Sequence, residues 1–325
     1  MILKLLRIIL MPRRFLVLLA LVALGLGATG CAAFTNKAPG HGDGLEVVTG
    51  FYPLQYVAQR VAGDHAKIIN LTKPGSEPHD LELSPAQTVS VITADLVVYE
   101  KGLQAAVDAA VDQAHGVRTV DAGEVAGLEP LSHDGHDDAQ HDSPGGAEPS
   151  DLGDLDPHFW QDPLKLAKVA DAVAAALTEA DPEHAADFRA NAAALDDDLT
   201  ALDHEYAAGL QGCERDTVVV SHNAFGYLGR YGLFIEPISG LSPEAEPTPA
   251  DLARLQQLIE TDGITTVFGE RLVSPKLAES LAHDMGVTTK ILDPIEGLSS
   301  TTSHDDYLSL MRDNLAALRE ANGCP

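Results

Sequence analysis

The sequence predicts an α/β protein with two lobes, each a mainly parallel sheet flanked by helices, joined by a long connecting helix. Three observations lead to this fold. Short β-branched runs alternate with helical patterns, which is the order that produces parallel sheets. Two consecutive helical patterns interrupt the alternation once, near the middle of the chain. The length of 325 residues is sufficient for two lobes of ordinary size.

The first thirty residues have the form of a secretory signal peptide. A basic start is followed by an apolar stretch and by small residues before Cys31. The sequence ATGC that ends at Cys31 resembles the lipobox of bacterial lipoproteins, whose cysteine becomes the lipidated first residue. We therefore expect cleavage before Cys31, with translation starting at Met1 or Met11, and an uncleaved anchor is the alternative. Residues 31–44 would then form a lipidated tether.

Residues 45–165 predict the first lobe, which a polar loop interrupts near its end. One helix start is well defined, because Ser84 is a favoured N-cap and Pro85 a favoured first helical residue. Residues 131–154 consist largely of Asp, His, Gly, Pro and Ser and predict a mobile loop. The predicted strands are residues 45–50, 66–72, 95–100 and 117–123, and the predicted helices are residues 52–63, 84–94 and 103–116.

Residues 166–212 predict a helical connector between the lobes. If the pattern at 182–210 is one continuous helix, it spans roughly 40 Å, about the width of a domain. Residues 213–325 then resume the alternation and predict the second lobe, in which one helix starts at Thr248 and Pro249. The strands predicted in this half are residues 217–222, 234–239, 264–270 and 287–294, and the helices are residues 163–181, 182–210, 224–232, 248–263, 274–286 and 305–322.

The charge balance argues against a nucleic-acid partner. The chain has 49 acidic and 21 basic residues, a formal net charge of −28. Four of the basic residues and none of the acidic ones lie in residues 1–30, so the remainder carries −32. Such a surface repels nucleic acid and anionic lipid. We expect a monomer outside the cytoplasm, held on the cell membrane by its lipid.

The two cysteines beyond Cys31 predict a disulfide bond. An exported protein lies in an oxidising compartment, in which an even number of cysteines favours disulfide bonds. Cys213 and Cys324 are the two cysteines that remain. The bond would tie the start of the second lobe to its last helix.

Four residues of metal-ligand type stand where ligands of open parallel sheets bind, beyond the carboxyl ends of strands. His79 and His158 lie in loops of the first lobe, and His222 and Asp293 end strands of the second. Two lobes that face each other would bring all four into one cleft. Three imidazoles and one carboxylate suit a tetrahedral zinc site. Because no two of these residues are close in sequence, their spacing alone leaves a purely structural role for each histidine open.

Four motifs, in this order, resemble one known family: GSEPHD, DPHFWQDP, SHNAFGYLGRYGL and ILDPIEG. They are similar to motifs of the metal-binding lipoproteins of ATP-binding-cassette transporters, specifically the zinc-uptake branch, over nearly all of residues 45–325. The resemblance implies two α/β lobes joined by a long helix, with a metal between them held by His79, His158, His222 and Asp293. It also implies that the partner is the membrane permease of an ATP-binding-cassette importer.

The residue at position 222 favours zinc as the metal. Manganese-binding members of the family carry a carboxylate where His222 stands, and manganese prefers oxygen-rich sites. The fourth ligand stays open between Asp293, Glu77 and water, because some zinc-binding members use an acidic residue directly before the first histidine, where Pro78 stands here. We expect Glu77 to be a solvated loop carboxylate and Glu270 to accept an imidazole N–H.

The remaining candidates lead to alternative functions. The loop histidines His133, His136 and His141 resemble the histidine- and acid-rich loop of zinc-binding members, and they either collect zinc or belong to a solubilising loop. A zinc hydrolase is disfavoured, because HEYAA at His204 has Ala208 where HExxH has its second histidine. We therefore expect no enzyme. Manganese or iron uptake, or a surface adhesin on the same fold, are the alternatives.

Overall fold

Two four-stranded parallel sheets organise residues 44–131 and 152–325, which are the residues described by the computed structural model. The first sheet has the order β2-β1-β3-β4, with β1 (Leu45–Thr49), β2 (Ala66–Asn70), β3 (Leu96–Tyr99) and β4 (Arg118–Asp121). Two short strands, β5 (Glu129–Pro130) and β6 (Leu155–Asp156), pair antiparallel. The second sheet has the order β10-β9-β7-β8, with β7 (Thr217–Val220), β8 (Phe234–Pro237), β9 (Thr266–Gly269) and β10 (Thr288–Ile291). Counted from its own first strand, each sheet has the order 2-1-3-4.

Helices cover the sheets and connect them, as predicted. The first lobe contains α1 (Tyr52–Ala62), α2 (Pro85–Thr93), α3 (Ala105–Gln113) and α4 (Ala122–Ala126). Next come α5 (Pro163–Ala180) and α6 (Ala185–Gly209), and the second lobe contains α7 (Pro249–Thr261), α8 (Lys276–Met285) and α9 (Tyr307–Asn322). Short 3₁₀ turns lie at Gly63–His65, Phe159–Gln161, Pro182–His184 and Gly226–Tyr231. The 3₁₀ turn at Gly226–Tyr231 lies where a helix was predicted. The antiparallel strand pair β5–β6 was not predicted. Within the described part of the chain, no helix has the length and apolarity needed to cross a membrane.

Side-chain caps stand at the starts of several helices, two of which were predicted from the sequence. Helix α2 starts with a capping box, in which Ser84 and Gln87 each bond the other's backbone N–H. Helix α7 starts in the same way with Thr248 and Asp251. In both helices a proline occupies the first turn, where its missing N–H costs nothing. The two predicted helix starts are therefore confirmed. They could be predicted because a capping box depends only on residues that are close in sequence.

The hydrophobic core is continuous from one lobe to the other. Val47 of β1 and Val218 and Val220 of β7 all belong to one buried cluster. Val48 and Val219, one position along each strand, point to the opposite faces and join separate clusters under the outer helices. This alternation follows from the two-residue period of a strand. The inner faces of both sheets therefore share one core, to which α5 and α6 also contribute.

Helix α6 is the long connecting helix. Its 25 residues span about 37 Å. Near its start Asn191 donates to the Val61 carbonyl of α1, and near its end Tyr206 donates to the Met311 carbonyl of α9. Its buried hydrophobic side chains repeat at three- and four-residue steps: Phe188, Ala192, Leu195, Leu199, Leu202 and Tyr206. The helix is thus packed against both lobes, while the division of the chain at residues 165 and 213 stays a prediction.

The predicted disulfide bond between Cys213 and Cys324 is present. Backbone bonds from Glu214 and Arg215 to the Asn322 carbonyl hold the same two chain segments together. The bond therefore fastens the end of α9 to the start of the second sheet. Three other predictions, the signal peptide, the lipidated tether at Cys31 and the loop histidines, lie outside the described residues.

We predict that replacing both cysteines, C213A/C324A, lowers the free energy of unfolding by about 2–5 kcal/mol, because it frees a loop with a sequence separation of 111 residues in the unfolded chain. Denaturant unfolding of the metal-free protein measures this loss. The reduced wild-type protein is the control and should behave like the variant. Equal unfolding midpoints for the variant and the oxidised wild-type protein would contradict the prediction.

Candidate metal centre

One half of the centre lies at the point where the strand order of the second sheet reverses. His222 follows β7, and Glu270 follows its neighbour β9. Chain connections leave these two adjacent strands in opposite directions, which opens a crevice at their carboxyl ends. His222 Nδ1 lies 2.5 Å from Glu270 Oε1, and Ser221 Oγ also bonds this carboxylate. Glu270 therefore takes the predicted acceptor role and fixes the orientation of the His222 ring.

His158 is placed by the antiparallel strand pair β5–β6. Asp156, the last residue of β6, accepts a hydrogen bond from the His158 backbone N–H at 2.9 Å, and the same oxygen lies 2.8 Å from His158 Nδ1. The Asp156 carbonyl accepts a bond from Tyr227 of the second lobe, whose hydroxyl in turn accepts one from the Glu129 N–H. Sequence reasoning missed Asp156, although it stands two residues before His158 in DPHFW.

His79 lies in a loop after β2 whose backbone is hydrogen-bonded by the side chains of Glu77 and Gln104. Glu77 accepts hydrogen bonds from the backbone N–H groups of His79 at 3.0 Å and Asp80 at 3.3 Å, and Gln104 donates to the Pro78 carbonyl at 3.1 Å. The expectation that Glu77 is a solvated carboxylate is wrong, because its side chain is only 15% exposed and serves to shape the loop. Its nearer oxygen lies 3.9 Å from His79 Nε2.

The three histidines converge on the carboxylate of Glu296. Its Oε1 lies 3.4 Å from the Nε2 atom of each of His79, His158 and His222, and the four donor atoms lie within 4.8 Å of one another. Bonds of about 2.0–2.1 Å to a tetrahedral zinc ion would separate donors by about 3.3–3.4 Å. The Nε2 atoms of His158 and His222 are buried without regular hydrogen-bond geometry. The arrangement therefore has the donor types and the size of a tetrahedral metal site.

The structure differs from the sequence-based expectation at the fourth position. Asp293, predicted as the fourth ligand, is not in this group. One of its oxygens accepts a hydrogen bond from the Ile295 N–H at 2.9 Å, and the other forms an ion pair with Arg271 at 3.0 Å. Three residues further on, Glu296 occupies the expected place. The motif ILDPIEG contains both acidic residues, and nothing in their spacing indicates which of them faces the histidines.

The carboxylates around the histidines favour protonated imidazoles. Burial alone would lower the pKa of His222, but Glu270 and Glu296 outweigh it and raise this pKa to about 10. In the same way, Asp156 and Glu296 overcome burial and raise the pKa of His158. The imidazoles in turn hold the pKa of Glu296 well below its usual range, against the effect of its burial. Without a metal, imidazolium charges thus balance the central carboxylate.

The fold and the position of the cluster define the class of this protein: it is a two-lobed α/β protein with a candidate metal site between its lobes. More particularly, the chain belongs to the family described as zinc-uptake complex component A, periplasmic, whose model matches residues 47–321.

Three proteins illustrate the relationship. The zinc-binding lipoprotein AdcA of Streptococcus pneumoniae is 34% identical over 308 residues, which cover 93% of this chain and 60% of AdcA. The Zn(II)-bound crystal structure of AdcA aligns with a TM-score of 0.70 at 32% identity, over 86% of this chain and 58% of that one. The chain thus spans about three-fifths of the length of this relative.

The other two relatives match over nearly their whole lengths. The high-affinity zinc uptake system protein ZnuA of Bacillus subtilis is 30% identical over 313 residues, covering 94% of this chain and 96% of its own. The laminin-binding protein Lmb of Streptococcus agalactiae, described as a bifunctional protein with adhesin and metal transporting activity, aligns with a TM-score of 0.73 at 29% identity. This alignment covers 86% of this chain and 99% of the Lmb chain.

We predict that zinc binding at pH 7.5 releases at least one proton and that zinc affinity keeps rising with pH above 6.5. The raised pKa of His222, about 10, stabilises the metal-free protein fully below the ordinary histidine pKa of about 6.5, and this stabilisation is lost as pH rises through 10. Zinc must displace the proton over the same range. Titration calorimetry in buffers of different ionisation enthalpy counts the protons.

The variant Glu270→Gln tests whether the released proton comes from His222. Its amide still accepts the Nδ1 hydrogen bond of His222 but no longer favours the imidazolium charge. It should release fewer protons and bind zinc about 10- to 100-fold more weakly. A proton count equal to that of the wild-type protein would show that Glu270 does not control the charge of His222.

Proposed function

We propose that this protein captures Zn²⁺ outside the cytoplasm between its two lobes and delivers it to the membrane permease of an ATP-binding-cassette importer. The ligands we assign are His79, His158, His222 and Glu296. The observation that supports this function is the convergence of three imidazole nitrogens on one carboxylate oxygen, each at 3.4 Å. Zinc is the cargo of the protein rather than a resident cofactor.

The donor set favours zinc over manganese or iron. Zinc accepts three nitrogens and one oxygen in a tetrahedral shell, whereas manganese prefers carboxylate, carbonyl and water oxygens. Two of the three imidazoles have their orientation fixed by carboxylates, Asp156 at His158 and Glu270 at His222. Such partners make an imidazole a better ligand for a cation. With four protein donors filling the shell, no open position remains for a catalytic water, so we propose binding rather than enzymatic activity.

Zinc exchange is proposed to occur past His79. The side chain of His79 is 13% exposed, whereas those of His158 and His222 are fully buried and that of Glu296 is 2% exposed. The His79 loop also reaches the second lobe, because the Gly75 N–H donates to the Leu298 carbonyl at 2.6 Å. Movement of this loop would withdraw one ligand and admit water and protons, which gives a route for release.

We also propose that the protein is anchored to the outer face of the cell membrane. We propose that cleavage exposes Cys31, that lipid on this cysteine holds the chain at the membrane, and that residues 31–44 act as a tether. The name of AdcA as a lipoprotein supports an anchor in a relative. The lobes would occupy residues 45–165 and 213–325, joined by 166–212, and act as a monomer next to the permease.

We predict that removing any buried ligand weakens zinc binding by more than 100-fold, beyond the roughly 10- to 100-fold effect of outer-shell partners. The variants are His158→Ala, His222→Ala and Glu296→Gln. Trp160 is a convenient reporter, because it is the only tryptophan of the chain and its ring centroid lies 5.3 Å from that of His158. Titration with a competing chelator, followed by this fluorescence, gives the affinity.

The matched control is His283→Ala, because the His283 side chain is 89% exposed and lies outside the cluster. It should bind zinc as the wild-type protein does. His222→Glu should move the relative preference toward manganese, because it exchanges a nitrogen for an oxygen. Wild-type zinc affinity in both His158→Ala and Glu296→Gln would refute the site.

We predict that Cys31→Ala releases the protein from the membrane or blocks its maturation, because the residue to be lipidated is lost. Fractionation of cells followed by immunodetection measures this. The double variant C213A/C324A, which retains Cys31, is the control and should stay attached. Unchanged attachment of the Cys31→Ala protein would contradict the lipid anchor.

A second function is suggested by one comparison. Lmb, with a similar fold, is described as both adhesin and metal transporter. If this protein also binds host matrix proteins, the surface responsible would lie outside the buried cluster. Laminin binding that survives in Glu296→Gln would separate such a function from zinc uptake.

A further inference from the structure

The short segment that carries Glu296 has an unfavourable backbone conformation. Within the described residues, Ile295 is the non-glycine residue with a positive φ, at 62°. This left-handed conformation is an outlier for a β-branched residue, and it persists only where the surroundings hold it in place. We refer to residues 293–296 as the ligand turn.

The second lobe holds the beginning of the ligand turn. Asn314 of α9 makes two hydrogen bonds with the backbone of Asp293, accepting from its N–H at 2.8 Å and donating to its carbonyl at 2.6 Å. The Asp293 carboxylate accepts the Ile295 N–H at 2.9 Å and pairs with Arg271. These bonds explain what Asp293 does in place of binding metal: it closes the turn that presents Glu296.

The first lobe holds the rest of the ligand turn. Trp160 Nε1 and Gln161 Nε2 both donate to the Pro294 carbonyl, at 2.7 and 2.6 Å, and all of these groups are buried. The Tyr52 N–H faces the Glu296 carbonyl at 3.4 Å. Trp160 and Gln161 belong to the 3₁₀ turn that directly follows His158. The segment 158–161 of the first lobe thus contains His158 and also hydrogen-bonds the ligand turn, which carries Glu296.

We propose that Trp160 and Gln161 are positioning residues that, through the Pro294 carbonyl, hold Glu296 in reach of the metal. This inference rests on the proposed function, in which Glu296 is a ligand. It implies that the carboxylate supplied by the second lobe is placed by the first lobe, so the full set of donors exists only while the lobes stay docked. Separation of the lobes would loosen the carboxylate and the histidines together.

The test removes one of the two donors with little change of shape. In Gln161→Met the bond to Pro294 is lost, and so is a buried Gln161 oxygen that has no hydrogen-bond partner. We therefore expect the metal-free variant to unfold at nearly the wild-type temperature. Zinc affinity should fall by about 3- to 10-fold, the effect of one hydrogen bond. Trp160→Phe, which removes the other donor, is the second variant should Gln161→Met not fold.

A double-mutant cycle with Glu296→Ala shows whether the effect passes through Glu296. The affinities come from chelator competition with Zn²⁺ alone. If Gln161 acts by placing the carboxylate, the substitution of Gln161 changes zinc affinity in the wild-type background and has no further effect in the Glu296→Ala background. An equal loss in both backgrounds, or no loss in either, would overturn the positioning role while leaving the zinc site intact. Wild-type affinity in Glu296→Ala alone would instead refute the ligand set and with it the proposed function at this site.

Discussion

The buried carboxylate of Glu296 is the group on which the rest of the centre depends. An ionised carboxylate cannot stay buried without partners, because desolvation costs several kcal/mol or more. Here the partners are three imidazoles, and the two that are fully buried, His158 and His222, also contact Asp156 and Glu270. Each of these two imidazoles therefore lies between two carboxylates. In the proposed function, zinc enters by replacing protons, since it supplies positive charge at the same position.

The fold explains why such a network can be assembled from distant parts of the sequence. Both sheets have the same strand order, and each opens a crevice at the carboxyl ends of its strands. The inner faces of the sheets share one hydrophobic core with the connecting helix α6. Close packing of this kind gives low compressibility and transmits strain. The shared core therefore sets the relative positions of donors that come from separate loops.

The carboxylates outside the cluster of three histidines and Glu296 also shape the chemistry of the centre. Glu270 and Asp156 fix two rings with Nε2 toward the centre, and Asp293 closes the turn that presents Glu296. The acidic balance of the whole chain adds a long-range attraction for cations. In the proposed function, the affinity for a dication and its dependence on pH have one origin, because the carboxylates that favour the metal also favour the protons that it displaces.

Local patterns in the sequence were sufficient to predict most of the secondary structure, two helix starts and the disulfide bond. Alternating β-branched runs and helical patterns indicated two parallel sheets, Ser84 and Thr248 marked helix starts, and the two remaining cysteines indicated their bond. His79, His158 and His222 were candidates because they stand at predicted strand ends or in equivalent loops, and the resemblance of their motifs to one family selected them. The structure brings their Nε2 atoms together around Glu296. Asp293 and Glu296 could be told apart only in the folded molecule, in which Glu296 lies among the three histidines. Glu296 is carried by a turn in which Ile295 has a left-handed conformation, and Asn314, Trp160 and Gln161 bond this turn from distant parts of the chain. A backbone torsion in a turn held by such remote contacts leaves no periodicity or spacing in the sequence. Asp156 was missed for a different reason: it stands only two residues before His158, but the motif DPHFW does not show that its carboxylate turns back to the imidazole.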